Sequence, residues 1–401
     1  MPDRSEDLAG GGTVAGAGVR APRLLIITPD FPPPRGGIQV MAHELARELR
    51  GFDTRVLAPA CDGAREFDAR SGVAIRRVRA NHPPAHVRNL ALNAGAVLEA
   101  RRFRPAATLA MHIVASPAAV LIRRLTGAPT VHYFHAKEIP DKPRLAAFAA
   151  SRADAVIAVS SYTAGLIAAT GARPRRMCLI PPGVQLSPCA GARERTAPTV
   201  VTISRLADRY KGHDVLIAAL AQVRARVPDV RWVVIGEGPL RAELEALARA
   251  RGVAESSVFL GAVGNEERDA WLRRADVVAM PSRLPDSGGA GDGFGIVYLE
   301  AAARGIPVVA GNVGGALDAV ADGVSGLLVD PSDPDAVADA ITRLLLDPEL
   351  ARRLGLAGAQ RAREFAWPLI AARVEALLRE LLTPAGPRRE AARGAWREHL
   401  G

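Results

Sequence analysis

Arg23-Leu24-Leu25-Ile26-Ile27-Thr28-Pro29-Asp30-Phe31-Pro32-Pro33-Pro34-Arg35-Gly36-Gly37 is the stretch on which the fold turns. Residues 24–28 form an apolar run without the polar alternation of a half-exposed strand. Such a run suits a parallel sheet covered on both faces. A Pro-rich turn and a glycine pair follow, and a helical pattern extends over about 38–50. Outward from this unit the alternation repeats. Strands are expected over 55–58, 74–79, 107–111, 130–134 and 155–159, with helices between several of them, notably 87–102 and 115–125. Pro181-Pro182-Gly183, continuing to about Ala197, has linker chemistry. Alternation then restarts, with strands at 200–204, 232–236, 258–260, 277–281, 308–311 and 326–329. Helices are expected at about 212–227, 239–251, 266–274, 295–304 and 334–346. Two doubly wound α/β units in tandem place a ligand cleft between the carboxyl ends of their sheets.

A chain of 401 residues suits two domains. The expected division is a disordered tail over 1–22, a first Rossmann-like domain over 23–185, a linker over 186–197 and a second domain over 198–365. A helix over 366–383 and a basic amphipathic tail over 384–401 complete it. Charge is uneven: residues 1–197 carry 27 Lys and Arg against 15 Asp and Glu, whereas the rest carry 25 against 27. The basic first half suits an anionic acceptor, an acidic membrane surface or nucleic acid, and equally an arginine-rich proteome. Cys61, Cys178 and Cys189 show neither disulfide framework nor metal spacing, which fits a reducing compartment. The N-terminus lacks an apolar signal core, and no run approaches about 18 apolar residues. A cytoplasmic protein is the expectation, either free or peripheral at the inner face of the plasma membrane.

Chemistry concentrates in four places. In Asp292-Gly293-Phe294-Gly295-Ile296-Val297-Tyr298-Leu299-Glu300, glycines let the backbone approach a ligand, and the following helix offers free N–H groups to an anion. Asp292 is placed to accept sugar hydroxyls. Glu300 lies among apolar neighbours, where an unpartnered carboxylate is costly, so a hydroxyl or amide partner is expected. The second place is Ser204-Arg205-Leu206-Ala207-Asp208-Arg209-Tyr210-Lys211-Gly212, where a strand end meets a helix start. Two fixed cations, Arg205 and Lys211, suit a diphosphate leaving group without a metal. No Asp-x-Asp pair stands in a metal-binding setting, and neither a metal nor a cofactor is expected.

The third is the Gly36-Gly37 loop, shaped to face a phosphate. The fourth is Tyr133-Phe134-His135-Ala136-Lys137-Glu138 at a strand end, where His135 serves either the structure or a ligand; His112 is a weaker candidate one strand earlier. Lys137 and Glu138 are candidates to orient an acceptor. Gly236-Glu237-Gly238-Pro239-Leu240 reads either as a nucleotide-facing turn or as a plain strand-to-helix connection.

Pro281-Ser282, the glycine-rich loop, the 292–300 motif and Gly305-Ile306-Pro307-Val308-Val309 together resemble glycosyltransferase family 4. The resemblance implies the GT-B fold, in which two Rossmann-like domains face across a cleft and a C-terminal helix crosses back. It also implies that Asp292 holds donor-sugar hydroxyls and Glu300 the nucleotide ribose. The backbone around Phe294 and Gly295 would meet sugar or diphosphate, and Arg205 and Lys211 the diphosphate. Gly36 and Gly37 would close over the donor phosphates, His135 would reach a donor hydroxyl, and Gly236 would border the base. The family usually has Glu where this chain has Asp292, one methylene shorter, which bears on sugar preference more than on activity.

The implied reaction moves a hexosyl group from a GDP- or UDP-sugar to a hydroxyl of a lipid-linked, polyol or saccharide acceptor, with retention. The motifs most resemble actinobacterial enzymes that mannosylate phosphatidylinositol or related lipids. Arg88, Arg101, Arg102 and Arg104, with Leu90, Leu92, Val97 and Leu98, form a basic amphipathic stretch suited to anionic lipid. Three other readings compete. A catalytically idle GT-B binding protein finds support only in Asp292. A nicotinamide oxidoreductase lacks G-x-G-x-x-G after the first strand, and a nucleic-acid binder lacks a recognisable module.

Overall fold

The computed structural model describes residues 20–34, 36–79, 84–186, 197–286 and 288–383. Most of the expected N-terminal tail, most of the linker, Cys189 and the basic tail over 384–401 lie outside the described residues.

Thirteen strands among the described residues form two parallel sheets. The first contains β1 Arg23–Ile27, β2 Asp53–Pro59, β3 Ala74–Val78, β4 Ala107–Ala110, β5 Thr130–Phe134, β6 Ala155–Ala158 and β7 Met177–Leu179, in the order β3-β2-β1-β4-β5-β6-β7. The second contains β8 Thr199–Ile203, β9 Arg231–Ile235, β10 Ser257–Gly261, β11 Val277–Met280, β12 Val308–Gly311 and β13 Leu327–Val329, in the order β10-β9-β8-β11-β12-β13. Each sheet therefore reverses its winding once, between β1 and β4 and between β8 and β11. Crevices at the carboxyl ends of such reversals are where doubly wound sheets bind ligands.

The absence of alternation in β1 has a direct cause. Leu24 and Ile26 enter one apolar cluster, Leu25 and Ile27 the cluster on the opposite face, and all four are fully buried. Each such side chain contributes roughly 1.5–3 kcal/mol. Helix Gly37–Glu48 buries Met41, Ala42, Leu45 and Ala46 in the first of these clusters.

Ile370, Val374, Leu377 and Leu378 of helix Trp367–Leu382 enter the same cluster, so the last described helix packs on the first domain. Polar ties reinforce that return: Gly51 N–H donates to Glu375 Oε1 at 2.7 Å, and the Arg373 guanidinium donates to the Leu179 carbonyl at 2.6 Å. The stretch after Asp347 forms two helices, Pro348–Arg363 and Trp367–Leu382. Pro368 sits in the first turn of the second helix, where its missing N–H costs nothing. At the break, Val184 N–H donates to the Phe365 carbonyl at 2.8 Å. Among the described residues no helix is long and apolar enough to cross a membrane.

Candidate active site

The β8 and β11 loops meet across the second domain's reversal point. After β8, a single 3-10 turn, Arg209–Lys211, ends at Gly212 with φ 77°. A Cβ at Gly212 would overlap the Pro281 carbonyl, so glycine is what allows this loop to lie against the end of β11. That approach delivers Lys211 Nζ to Asp292 Oδ1. Ser282 Oγ donates to Asp292 Oδ2 at 2.6 Å. Only 14% of the Lys211 side chain and 12% of Asp292 remain accessible, so the pair is largely withdrawn from water.

Two expectations are sharpened here. Asp292 already has one protein donor on each of its oxygens, and a carboxylate keeps further lone pairs with which to accept a hydroxyl. Arg205 and Lys211 are not equivalent cations. Arg205 is 67% accessible and meets Asp208 only at 3.6 Å, so it carries the uncommitted positive charge of the site. Gly236 has a structural reason of its own: with φ 146°, any Cβ would overlap the Ser204 carbonyl. The next residue reinforces the contact, because Leu206 N–H donates to the Glu237 carbonyl at 2.9 Å and so fastens the Arg205 loop to the β9 turn.

Helix Ile296–Ala302 begins after Gly295, whose φ of 87° is left-handed. Phe294 points inward, 4% exposed and packed against Phe365 with ring centroids 5.7 Å apart, so only its backbone is available to a ligand. Among the described residues the N–H groups of Gly293, Phe294 and Gly295 meet no protein acceptor. Three successive donors suit an anion. Glu300 corrects an expectation: its partner is neither hydroxyl nor amide but the guanidinium of Arg268, on helix Asn265–Arg274. Leu299, Ala301 and Ala302 fill the core, which turns Glu300 to the helix edge that faces Arg268.

On the first domain, His135 Nε2 lies 2.7 Å from the Met111 carbonyl, and its ring stacks on Tyr133. A carbonyl only accepts, so Nε2 carries the proton and Nδ1 of a neutral ring keeps a lone pair for a hydroxyl. Buried Glu138 accepts the His135 backbone N–H at 2.6 Å, which gives that carboxylate a positioning duty in the β5 loop. Between them, Ala136 holds φ 114°, a strained value for a side-chain-bearing residue. His112 accepts from Val114 N–H at 3.2 Å through Nδ1, and burial above all holds its imidazole below the ordinary range. It caps a turn.

The two domains are in contact along this wall. A Cβ at Gly293 would overlap the His135 carbonyl, and one at Gly37 would come within 3.3 Å of Ile296 Cδ1. Gly36, by contrast, has φ 168°, extended backbone that any residue adopts. Lys137 Nζ lies 3.9 Å from Asp208 across the cleft. Loops after β1, β5, β8 and β11 thus converge on one inter-domain cleft. Sequence reasoning missed Arg268, Ser161, Tyr162 and Asp318, which sit in segments without distinctive spacing.

Residues 35–187 match the family described as Glycosyltransferase Family 4, and residues 190–361 the family described as Glycosyl transferases group 1. The GDP-mannose-dependent alpha-(1-6)-phosphatidylinositol monomannoside mannosyltransferase of Mycolicibacterium smegmatis is 38% identical over 380 residues, spanning 88% of this chain and 98% of that enzyme. The chain belongs to glycosyltransferase family 4. The Mycobacterium tuberculosis enzyme of the same description is 36% identical over 384 residues, 89% of this chain and 98% of that one. Sucrose-phosphate synthase from Thermosynechococcus elongatus superposes with a TM-score of 0.77 at 24% identity, covering 90% of this chain and 99% of that one. Anabaena HepE in complex with UDP and glucose gives 0.76 at 23%, covering 90% and 100%. These likenesses identify the fold as GT-B. The family 4 glycosyltransferase described here is an enzyme of that architecture.

Proposed function

We propose that this glycosyltransferase transfers a mannosyl group from GDP-mannose to a hydroxyl of an inositol-bearing lipid, with retention and without a metal. The observation that carries the proposal is the convergence of Arg205, the Lys211–Asp292–Ser282 cluster and three unpartnered N–H groups at the second domain's reversal point. Fixed donors of this kind stabilise charge that develops on a departing diphosphate. In this reading Lys211 and Arg205 hold the diphosphate and Asp292 orients Lys211 and the sugar. A donor phosphate oxygen takes the acceptor proton as the acceptor attacks from the leaving group's own face. Glu300 takes the ribose hydroxyls, and His135 Nδ1 accepts a sugar hydroxyl. Donor and acceptor identity rest on the mycobacterial relatives, which align over nearly their whole length.

Thermal shift with GDP-mannose, UDP-glucose and ADP-glucose tests the donor. At 100 times its Kd a bound donor adds about 2.7 kcal/mol to folding. GDP-mannose is expected to raise Tm by several degrees and the others by little; a response confined to UDP-glucose would remove the mannosyl reading. Chelation by EDTA is expected to leave turnover unchanged.

Helix Ala85–Phe103 bears on the acceptor. Leu92 is buried and Val97 packs on the core, so neither belongs to an outward face as the sequence suggested. Leu90 and Leu98 are exposed as expected, and Val87 joins them at helical spacing on one side, with Arg88, Arg101 and Arg102 also exposed. An apolar stripe flanked by cations fits an anionic lipid surface. Liposomes containing phosphatidylinositol are expected to float the wild-type protein at low salt, and a Leu90→Glu/Leu98→Glu variant is expected to stay behind. Equal flotation of both would exclude this helix as the docking element.

A further inference from the structure

Ser161 and Tyr162 open helix Ser161–Ala169 at the carboxyl edge of the first sheet, directly after β6. The preceding residue sets their position: Ser160 Oγ accepts the Thr163 N–H at 3.0 Å, a side-chain cap that fixes the first turn. Both residues reach across the cleft. Tyr162 OH accepts the Gly291 N–H at 3.1 Å. Ser161 donates to Asp318 Oδ2 twice, from its hydroxyl at 2.7 Å and from its backbone N–H at 3.1 Å. The two segments they reach are themselves joined, because Gly315 N–H donates to the Asp292 carbonyl at 2.9 Å. The Tyr162 ring lies beside Gly314, where a Cβ would touch it at 3.8 Å.

These contacts have a consequence for the residue between them. Gly291 is the immediate neighbour of Asp292 and ends a loop containing Gly288 and Gly289, whose backbones are left-handed and have open space around them. Glycines lose more backbone freedom on ordering than other residues, so such a loop gains from a tie beyond its own Gly288 N–H to Pro285 carbonyl bond at 3.2 Å. Its carboxyl end is held by Tyr162 from the opposite domain, one residue before the carboxylate that grips Lys211. We infer that Tyr162, assisted by Ser161, is a positioning residue that brings the Asp292 loop into register only when the two domains are closed. Resting on the proposed transfer reaction, this role couples closure to completion of the donor site. A donor captured by the second domain alone would then not react until the first domain docks, which limits loss of the activated sugar to water.

Tyr162→Phe keeps the ring and removes the acceptor oxygen. Two measurements test it. In hydrogen exchange on the full chain without donor, peptides covering 288–295 are expected to exchange severalfold faster in Tyr162→Phe than in the wild type, with Tm within about 2 °C. In steady-state transfer, kcat is expected to fall about tenfold with donor KM little changed, because the contact matters after capture. Ser161→Ala is expected to move both readouts in the same direction. Unchanged exchange, or an unchanged kcat, overturns the assignment. Should the wild type turn over no GDP-mannose, the donor reading fails by itself, and the exchange comparison still decides the role of Tyr162.

Discussion

Lys211→Met is expected to lower kcat by roughly 10²–10³-fold, the usual consequence of removing one fixed donor from a site of developing negative charge. The same substitution is expected to destabilise the fold by about 2 kcal/mol. Among the described residues, Lys211 and Ser282 are the side chains that satisfy the Asp292 carboxylate, and the ion pair is mostly sheltered from water. Removing the ammonium leaves a charge held by the Ser282 hydroxyl alone, and a half-satisfied buried charge costs more than the pair contributes when intact.

The two effects separate in the double variant Lys211→Met/Asp292→Asn. Neutralising the carboxylate removes the unpaired charge, so thermal stability is expected to recover while kcat stays low. Arg205→Ala offers a contrast, because a side chain 67% accessible has little folding role: its turnover is expected to fall with Tm nearly unchanged. Wild-type turnover in Lys211→Met, measured with GDP-mannose and lipid acceptor, would end the leaving-group assignment. Joint recovery of stability and turnover in the double variant would reduce the pair to a structural one.

Acidification supplies the second large effect. His132, in the middle of β5, is fully buried, and among the described residues neither ring nitrogen completes a hydrogen bond of normal geometry. Burial pushes its pKa down to about 4, against weak opposing pulls from Asp154 and the Ala149 backbone. His213 is 2% exposed with Nε2 at 2.8 Å from Ser204 Oγ; burial first, then the Lys211 charge, lowers it to about 4 as well. Both folded values lie below the ordinary 6.5, so the unfolded chain binds more protons between these limits.

Stability from these groups is therefore complete above about pH 6.5 and is lost as pH falls towards 4. By pH 5 each costs on the order of 2 kcal/mol. Tm is expected to drop steeply from pH 7 to pH 5, and His213→Gln, which keeps a partner for Ser204, is expected to flatten the slope. An identical slope in that variant would show that the imidazole of His213 does not drive the loss.

Several elements are legible in the amino-acid order alone. Continuous apolar runs mark β1, β6 and β12 because residues buried on both faces need no alternation. Others leave no such trace. β7 has three residues, none of them buried, and pairs with β6 at the end of its sheet, so its sequence carries neither a run nor an alternation. Helix Ser161–Ala169 opens on three hydroxyl side chains and is apolar all round from Ala164 to Ala169, which erases the helical stripe; the Ser160 cap is its one local signal. In the site, glycines at 212, 236 and 293 signal close backbone approach, but nothing beside them in the chain names the partner.

The chain by itself determined two doubly wound domains, the positions of their strand-end loops, and the residue types offered there: cations at 205 and 211, carboxylates at 292 and 300, an imidazole at 135. These follow from periodicity and turn chemistry, which consecutive residues control. Tertiary structure alone decided which of them meet. Lys211 reaches Asp292 because β8 and β11 are neighbours, Arg268 takes Glu300 because two helices share a side of the second sheet, and Tyr162 finds Gly291 across the cleft. Such pairings join residues distant along the chain, and only sheet order and domain docking bring their charges within reach.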